Sequence, residues 1–276
     1  MTSRTSRLAR MGTLLAAGAL ALAIAGPVAA VEGGAHVRVL HGSPDAPSVD
    51  VYVNGDKVDA LSGIEFGDLT SYVSVPGGTY AIKVCATADA TVCPIDVAAL
   101  AVTDGTKYTI AATNVLASIE AQVIVDDATP TEDKTQVRVV HFSADTPAVD
   151  VLTQDGSAKV VENLEYPNAT DYLTLDAGSY DLRVCASADN TVCPLDPAAL
   201  DLAAGRSYSV FAIGSLAGET LTAAVGVDAV AAPASDTVTT AQDGETSSGL
   251  SMALLAIIGA AAFAGSLRLA TARSRR

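Results

Sequence analysis

Between residues 36 and 228, apolar residues recur with a period of two, which is typical of half-buried β-strands. Val37 and Val39 alternate with Arg38 and Leu40, and His41 ends this first run. Further strands are predicted over residues 49–53, 72–75, 79–85, 107–112 and 121–125, each bounded by Gly, Pro, Asn or Asp. Many short strands without a long helical pattern predict an all-β chain built from immunoglobulin-like β-sandwiches.

Turn residues refine this pattern. Asn54-Gly55 predicts a two-residue hairpin, because both residues tolerate a positive φ. Asp155-Gly156 takes its place in the second half of the chain, shifted by one residue, which predicts a turn of different register. The run from Pro94 to Leu100 breaks the alternation and predicts one short helical turn.

The interior of the chain is one unit written twice, with an offset of 100 residues. The strongest match pairs CATADATVCP, residues 85–94, with CASADNTVCP, residues 185–194. Two copies predict two domains rather than a solenoid, which needs about three or more short repeats. We therefore expect a first repeat at residues 31–128, a polar linker at 129–135 and a second repeat at 136–228.

HGSPDAPSVDVYV, residues 41–53, resembles the opening signature of the DUF4397 family of exported bacterial and archaeal proteins. HFSADTPAVDV, residues 141–151, is a looser second copy: Ala144 stands where the first copy has Pro44, and Leu152, just after it, where the first copy has Tyr52. The resemblance covers both repeats and implies β-sandwich surface modules. The family's name records an unknown function, so no catalytic residue is carried over.

The N-terminus has the layout of a secretory signal peptide, residues 1–30. Arg4, Arg7 and Arg10 precede an apolar run, and Val28-Ala29-Ala30 supplies small residues for cleavage. An uncleaved anchor is the alternative, but the apolar run is short for a span of about 20 residues.

The C-terminus predicts a membrane anchor. Residues 249–267 carry no charge and are long enough for a transmembrane helix, although a buried core helix is the alternative. The basic tail, residues 268–276, is expected in the cytoplasm under the positive-inside rule. Residues 229–248, rich in Ala, Thr, Ser, Asp and Pro, predict a flexible stalk. We therefore expect a single-pass protein of the cell surface with both repeats outside.

The net charge of the chain excludes some classes of binding partner. The formal net charge is −15, and all 31 acidic residues lie between residues 31 and 248. A surface this acidic repels nucleic acid and anionic lipid headgroups, so nucleic acid is not an expected partner. The expected partner is a protein of the cell envelope or cell surface.

The four cysteines form two local pairs. An exported chain meets oxidising surroundings, so Cys85–Cys93 and Cys185–Cys193 disulfides are predicted. Four cysteines allow three pairings, and the local one is favoured because each repeat carries a complete pair. A zinc site would need closer cysteine spacing and further ligands.

A repeated set of His and Asp residues is the other candidate site: His41, Asp45 and Asp50, matched by His141, Asp145 and Asp150. The set could hold a cation at a loop mouth. It could equally shape the loop, with Asp45 capping a turn between prolines, and this structural reading is favoured because one His and two separated Asp are few ligands. Weak Ca²⁺ binding by the acidic surface stays open, although no EF-hand motif is present. No cofactor is predicted.

Known catalytic motifs are missing from the sequence, which has no G-x-S-x-G, P-loop, H-E-x-x-H or dinucleotide fingerprint. We therefore expect no enzyme, but a surface protein for adhesion, envelope interaction or spacing. The alternatives are a receptor for a small ligand or cation held between the two domains, and a hydrolase with an unrecognised carboxylate site.

Overall fold

The structure is a computed structural model, and it describes residues 33–232. The predicted signal peptide, transmembrane helix and basic tail, and the stalk beyond residue 232, lie outside the described residues. Within residues 33–232, no helix is both long and apolar enough to span a membrane. The contacts among the described residues place both repeats in one compact unit.

The first repeat consists of eight strands and two single turns of 3-10 helix. The strands are β1 (Ala35–His41), β2 (Val49–Val53), β3 (Asp56–Lys57), β4 (Val73–Val75), β5 (Gly78–Ala86), β6 (Ile95–Val102), β7 (Lys107–Thr113) and β8 (Glu120–Val125). They form two four-stranded sheets with the orders β4-β1-β7-β8 and β3-β2-β5-β6. β1 and β7 are parallel, which departs from the antiparallel sheets expected of an immunoglobulin-like sandwich.

The second repeat has nine strands in the corresponding places. They are β9 (Thr135–His141), β10 (Val149–Thr153), β11 (Lys159–Leu164), β12 (Leu173–Leu175), β13 (Gly178–Tyr180), β14 (Leu182–Ala186), β15 (Leu200–Leu202), β16 (Arg206–Ile213) and β17 (Thr222–Val230). The sheet orders are β12-β9-β16-β17, β11-β10-β14 and β13-β15. β17 extends two residues past the expected end of this repeat because Val230 still pairs with Arg206. The all-β prediction is confirmed.

The predicted hairpin at Asn54-Gly55 forms, with φ values of 53° and 94°. In the second repeat the turn after β10 is longer, and the β10–β11 pairing contains register shifts, as the displaced Asp155-Gly156 predicted. The helical turn predicted from Pro94 to Leu100 is wrong. In the first repeat, residues 95–100 belong to β6, because pairing with β5 outweighs the helix propensity of the alanines.

Each repeat has its own core between its sheets. In the first repeat, Val39 and Ala112 of one sheet pack against Val51, Val84 and other residues of the opposite sheet. In the second repeat the core is smaller and centres on Val139, Val149 and Val151. This is the inward face of the period-two pattern.

The other face of β1 and of β9 is buried as well, because the two repeats pack against each other there. We call this contact the cross-repeat cluster. Its buried members are Leu40 and Ala111 of the first repeat with Val140, Phe142, Phe211, Ile213 and Ala224 of the second.

Corresponding positions of the two repeats differ in size at this contact. Phe142 and Phe211 stand where the first repeat has Gly42 and Ala111, and the two rings stack with centroids 6.0 Å apart. On β17 the small residue belongs to the second repeat and the large neighbours belong to the first. A Cβ on Gly226 of β17 would collide with Leu69 and Arg38 of the first repeat. Large side chains of one repeat thus fill the space that small residues leave in the other.

Candidate functional site

The two histidines of the repeated set are core residues that hold the following loop. The His41 ring is fully buried, and its Nε2 lies 3.1 Å from the Pro47 carbonyl oxygen. His141 makes the same contact with Pro147 at 3.2 Å, and its Nδ1 accepts the Ser143 backbone N–H. Burial lowers the pKa of His141, so its ring is neutral at pH 7 and serves as one donor and one acceptor.

Asp45 and Asp145 tie this loop to a second one. Asp45 Oδ1 accepts the Leu116 backbone N–H at 2.6 Å. Asp145 accepts the backbone N–H groups of Leu216 and Ala217, both at 2.9 Å, and the Ser215 hydroxyl at 2.6 Å. Burial acts to raise the pKa of Asp145, but these hydrogen bonds prevail and lower it. Asp45 thus bridges two loops rather than capping a turn of its own loop.

Asp50 and Asp150 are buried hubs on the central strands β2 and β10. Asp150 accepts from Lys159 Nζ at 2.6 Å, the Asn163 backbone N–H at 2.8 Å and the Ser187 hydroxyl at 2.7 Å. Asp50 accepts from Lys57, Gly63 and Thr87 in the same way. Gly63 and Asn163, which supply the backbone donors, both have positive φ values.

These contacts separate the predicted site residues rather than bring them together. Each carboxylate is occupied by hydrogen-bond donors of the chain, and within residues 33–232 no three His, Cys, Asp or Glu side chains are grouped to hold a metal ion. A cation at either loop would have to displace these donors. The hydrogen bonds of the repeated set support its structural role.

The two disulfides form within the repeats, Cys85 with Cys93 and Cys185 with Cys193, as predicted. Each closes a short loop in which Thr91 or Thr191 donates its hydroxyl to Asp89 or Asp189 at 2.6 Å. The loops lie beside the Asp hubs, because Thr87 and Ser187 donate to Asp50 and Asp150.

A cluster that the sequence analysis missed joins the two repeats, and it is built around Arg38 of β1. Its side chain is 2% exposed. Arg38 Nε donates to the Thr109 hydroxyl at 2.8 Å, Nη1 donates to the Val227 carbonyl at 3.2 Å, and Nη2 forms an ion pair with Asp228. Val227 and Asp228 belong to the second repeat, so this arginine of the first strand is bound by the last.

Arg138 makes the reciprocal contacts. Its Nε donates to the Ser209 hydroxyl at 2.7 Å, its Nη1 to the Val125 carbonyl at 2.7 Å, and its Nη2 forms an ion pair with Asp126. Asp126 lies just past β8 of the first repeat, and Asp228 is its counterpart on β17. Each arginine therefore neutralises a buried carboxylate of the other repeat.

Two tyrosines complete the cluster. Tyr72 donates its hydroxyl to Asp126 at 2.6 Å, and Tyr172 donates to Asp228 at 2.8 Å. Burial, together with the adjacent carboxylate, raises the pKa of both tyrosines, so they remain protonated donors. We call these six residues, Arg38, Tyr72, Asp126, Arg138, Tyr172 and Asp228, the reciprocal ion-pair cluster.

The sequence of this chain matches a known protein family. A family model described as a domain of unknown function, DUF4397, matches residues 35–152 and 152–240. The chain belongs to the DUF4397 family. The match has two segments that meet at residue 152, inside the second repeat; two matches agree with two tandem copies and confirm the resemblance inferred from the motif at residues 41–53. No curated protein matches the chain.

Solved structures similar to this DUF4397 protein are distant. The C-terminal domain of AlgF from P. aeruginosa is 18% identical, covers 35% of this chain and 99% of its own, and has a TM-score of 0.28. A "putative cell adhesion protein" from Bacteroides ovatus ATCC 8483 is 10% identical, covers 70% of this chain and 95% of its own, and has a TM-score of 0.24. At these values the likenesses carry no information on function.

Acid is expected to lower the stability of this DUF4397 protein by protonating Asp150. Burial acts to raise the pKa of Asp150, but hydrogen bonds from Asn163, Lys159 and Ser187 prevail and hold it at about 2, against 3.8 ordinarily. A carboxyl with a lowered folded-state pKa stabilises the fold above pH 4 and loses that contribution as pH falls towards 2. The expected loss is about 2 kcal/mol.

Urea unfolding between pH 6 and pH 2 measures this loss. Asp150→Asn should be less stable than wild type at pH 6 and should show a shallower decline with acid. Asp201→Asn, which removes an exposed carboxylate from the same repeat, is the control and should follow the wild-type curve. Equal declines of wild type and Asp150→Asn would contradict the assignment.

Proposed function

We propose that this DUF4397 protein is a non-catalytic protein of the cell surface, anchored by its C-terminal segment, whose two repeats form one rigid head for adhesion or envelope interaction. The signal sequence at residues 1–30 and the apolar segment at residues 249–267 support export and anchoring. The absence of an enzymatic role stays a prediction.

The observation that carries the proposal is the reciprocal ion-pair cluster. Two arginines and two aspartates are buried between the repeats; Arg38–Asp228 and Arg138–Asp126 cross from one repeat to the other, and Arg38 also lies 3.6 Å from Asp126 of its own repeat. Parting the repeats would break these ion pairs and their hydrogen bonds and would expose the apolar cross-repeat cluster to water, so relative motion of the repeats is opposed. A stiff two-domain head suits a protein that presents its outer surfaces at a distance from the membrane.

The interface also bears on the receptor alternative. The centre of the contact between the domains is filled by Leu40, Phe142, Phe211 and Ile213, all fully buried, so a ligand held there would have to displace them. The polar residues that sequence analysis singled out serve the fold instead. Presentation of the outer faces is therefore the better supported role.

Protease treatment of intact cells tests the topology. A chain with one epitope tag in the linker, residues 129–133, and another at the C-terminus should lose the linker tag and keep a small membrane-bound stub with the C-terminal tag. Lysed cells, in which both tags become accessible, are the control. Full protection of the linker tag on intact cells would refute the surface location.

The adhesive role is tested on living cells. Cells that carry the full chain should attach to a surface or to one another better than cells whose chain lacks residues 35–232 but keeps the signal, stalk and C-terminal segment. Added soluble head, residues 31–234, should compete. Equal attachment at equal surface levels would reject adhesion while leaving the location intact.

A further inference from the structure

The second repeat encloses a cavity of about 160 Å³ between its sheets, whereas the matching cavity of the first repeat measures about 60 Å³. The larger cavity is lined almost wholly by aliphatic side chains from the three sheets of this repeat, among them Val137, Val139, Val151, Val160, Leu173 and Leu200. The two repeats therefore share a scaffold but not an interior.

Two substitutions between the repeats lie at the second cavity or in its wall. Val210 lines the second cavity, where Ile110 lines the first, so one methylene is missing from the second repeat. Pro197 stands where the first repeat has Val97. Val97 pairs with Ile82 across β5 and β6, but proline lacks the N–H that a β-ladder needs.

The Pro197 segment forms a weak wall. Residues 196–199 belong to no strand, and the matching sheet of the second repeat is split into β11-β10-β14 and β13-β15. Pro197 and Ala198 both line the cavity, and Ala198 is also exposed to solvent. The cavity thus comes within one residue of the surface at a segment with few backbone hydrogen bonds, which provides a route of entry.

The side chains that line the second-repeat cavity indicate what kind of ligand fits it. Its two hydroxyl groups are already occupied: Thr153 donates to Asp155 at 2.6 Å, and Tyr180 donates to the Asp176 carbonyl at 2.8 Å. Water needs two to four polar partners to occupy a cavity, and an apolar cavity of about 150 Å³ stays dry and takes up benzene or xenon. Carboxylates of Asp196 and Asp201 flank the wall and disfavour an anion.

We infer that the second repeat is a binding site for a small, uncharged hydrocarbon group, of the size of a benzene ring or a short alkyl chain, which enters past Pro197. The first repeat is too tightly filled to bind it. The inference is independent of the proposed surface role, because it rests on the interior of one repeat and not on where the protein is located.

Methyl NMR of the soluble unit, residues 31–234, tests this site with benzene as the probe. Benzene should shift the methyl signals of Val137, Val160 and Val210 in a saturable manner. The matched methyls of the first repeat, Val37 and Val58, should not move. In a second arm, 1-hexanol should produce the same shifts, and hexanoate, which adds a negative charge, should bind about tenfold more weakly or not at all.

A filled variant provides the control. Val210→Ile together with Ala223→Val adds three carbon atoms to the lining and should weaken benzene binding about tenfold while leaving the signals of the first repeat unchanged. Unshifted second-repeat methyls at saturating benzene would overturn the inference. Equal shifts in both repeats, or shifts confined to the exposed Val92 and Val192, would overturn it as well, and these wild-type results decide even if the filled variant fails to fold.

Discussion

Replacing Asp126 by alanine is expected to lower the free energy of unfolding by about 3–5 kcal/mol. The Asp126 side chain is fully buried and accepts from Arg138, Tyr72 and Thr109. Its removal leaves the buried Arg138 guanidinium without a counter-charge and two hydroxyls without an acceptor. Because Arg138 belongs to the second repeat and Asp126 to the first, both repeats should lose stability together, in a single urea transition.

The chain supplies a matched control for this change. Asp127 is the next residue and is exposed, so Asp127→Ala should alter stability by less than about 0.5 kcal/mol. The double variant Arg138→Met with Asp126→Leu should be more stable than the sum of its single changes, because it removes both charges at once. A loss below about 1 kcal/mol for Asp126→Ala, or two separate transitions in wild type, would contradict a shared interface.

Phe211→Ala should also destabilise the protein by about 3–5 kcal/mol, as truncation of a buried phenylalanine does. The Phe211 ring is fully buried, stacks on Phe142 and lies 5.7 Å from the Arg38 guanidinium. The change opens a void where the two repeats meet. Urea unfolding gives the loss, and Leu216→Ala, at a partly exposed side chain of the same repeat, should cause a much smaller one.

A swap of sizes tests whether the two repeats complement each other. Ala111→Phe alone should destabilise the protein, because the cross-repeat cluster is already filled. In the Phe211→Ala background the same change should restore part of the loss, since Ala111 is a buried member of the same cluster. Strict additivity of the two changes would show that these positions do not share one packed space.

Local chemistry made several features of this fold predictable. The Asn54-Gly55 turn needs only two residues that accept a positive φ, and both have one. The disulfides follow from short spacing in an exported chain. The helical turn predicted from Pro94 to Leu100 is wrong because helix propensity is a local quantity, whereas β6 is held by its pairing with β5.

The reciprocal ion-pair cluster could not be predicted from local sequence chemistry. A period of two assigns Arg38 and Leu40 to one face of β1 and Val39 to the other, but it does not say which face is covered. Both are, because a second repeat packs on the outer one. The available signal was Leu40 beside Arg38 on the same face, repeated as Val140 beside Arg138. An apolar residue that recurs beside an arginine indicates a covered surface rather than a solvated one.

The contact of Arg38 on the first strand with Asp228 on the last also determines when the first repeat can be completed. Until the second repeat has emerged and folded, Arg38 lacks Asp228, and Leu40 and Ala111 face water. The first repeat is therefore completed only when residue 228 has emerged. A chain that stops earlier presents an apolar face with an arginine in its midst, and this is the kind of surface by which chaperones and proteases recognise unfinished proteins.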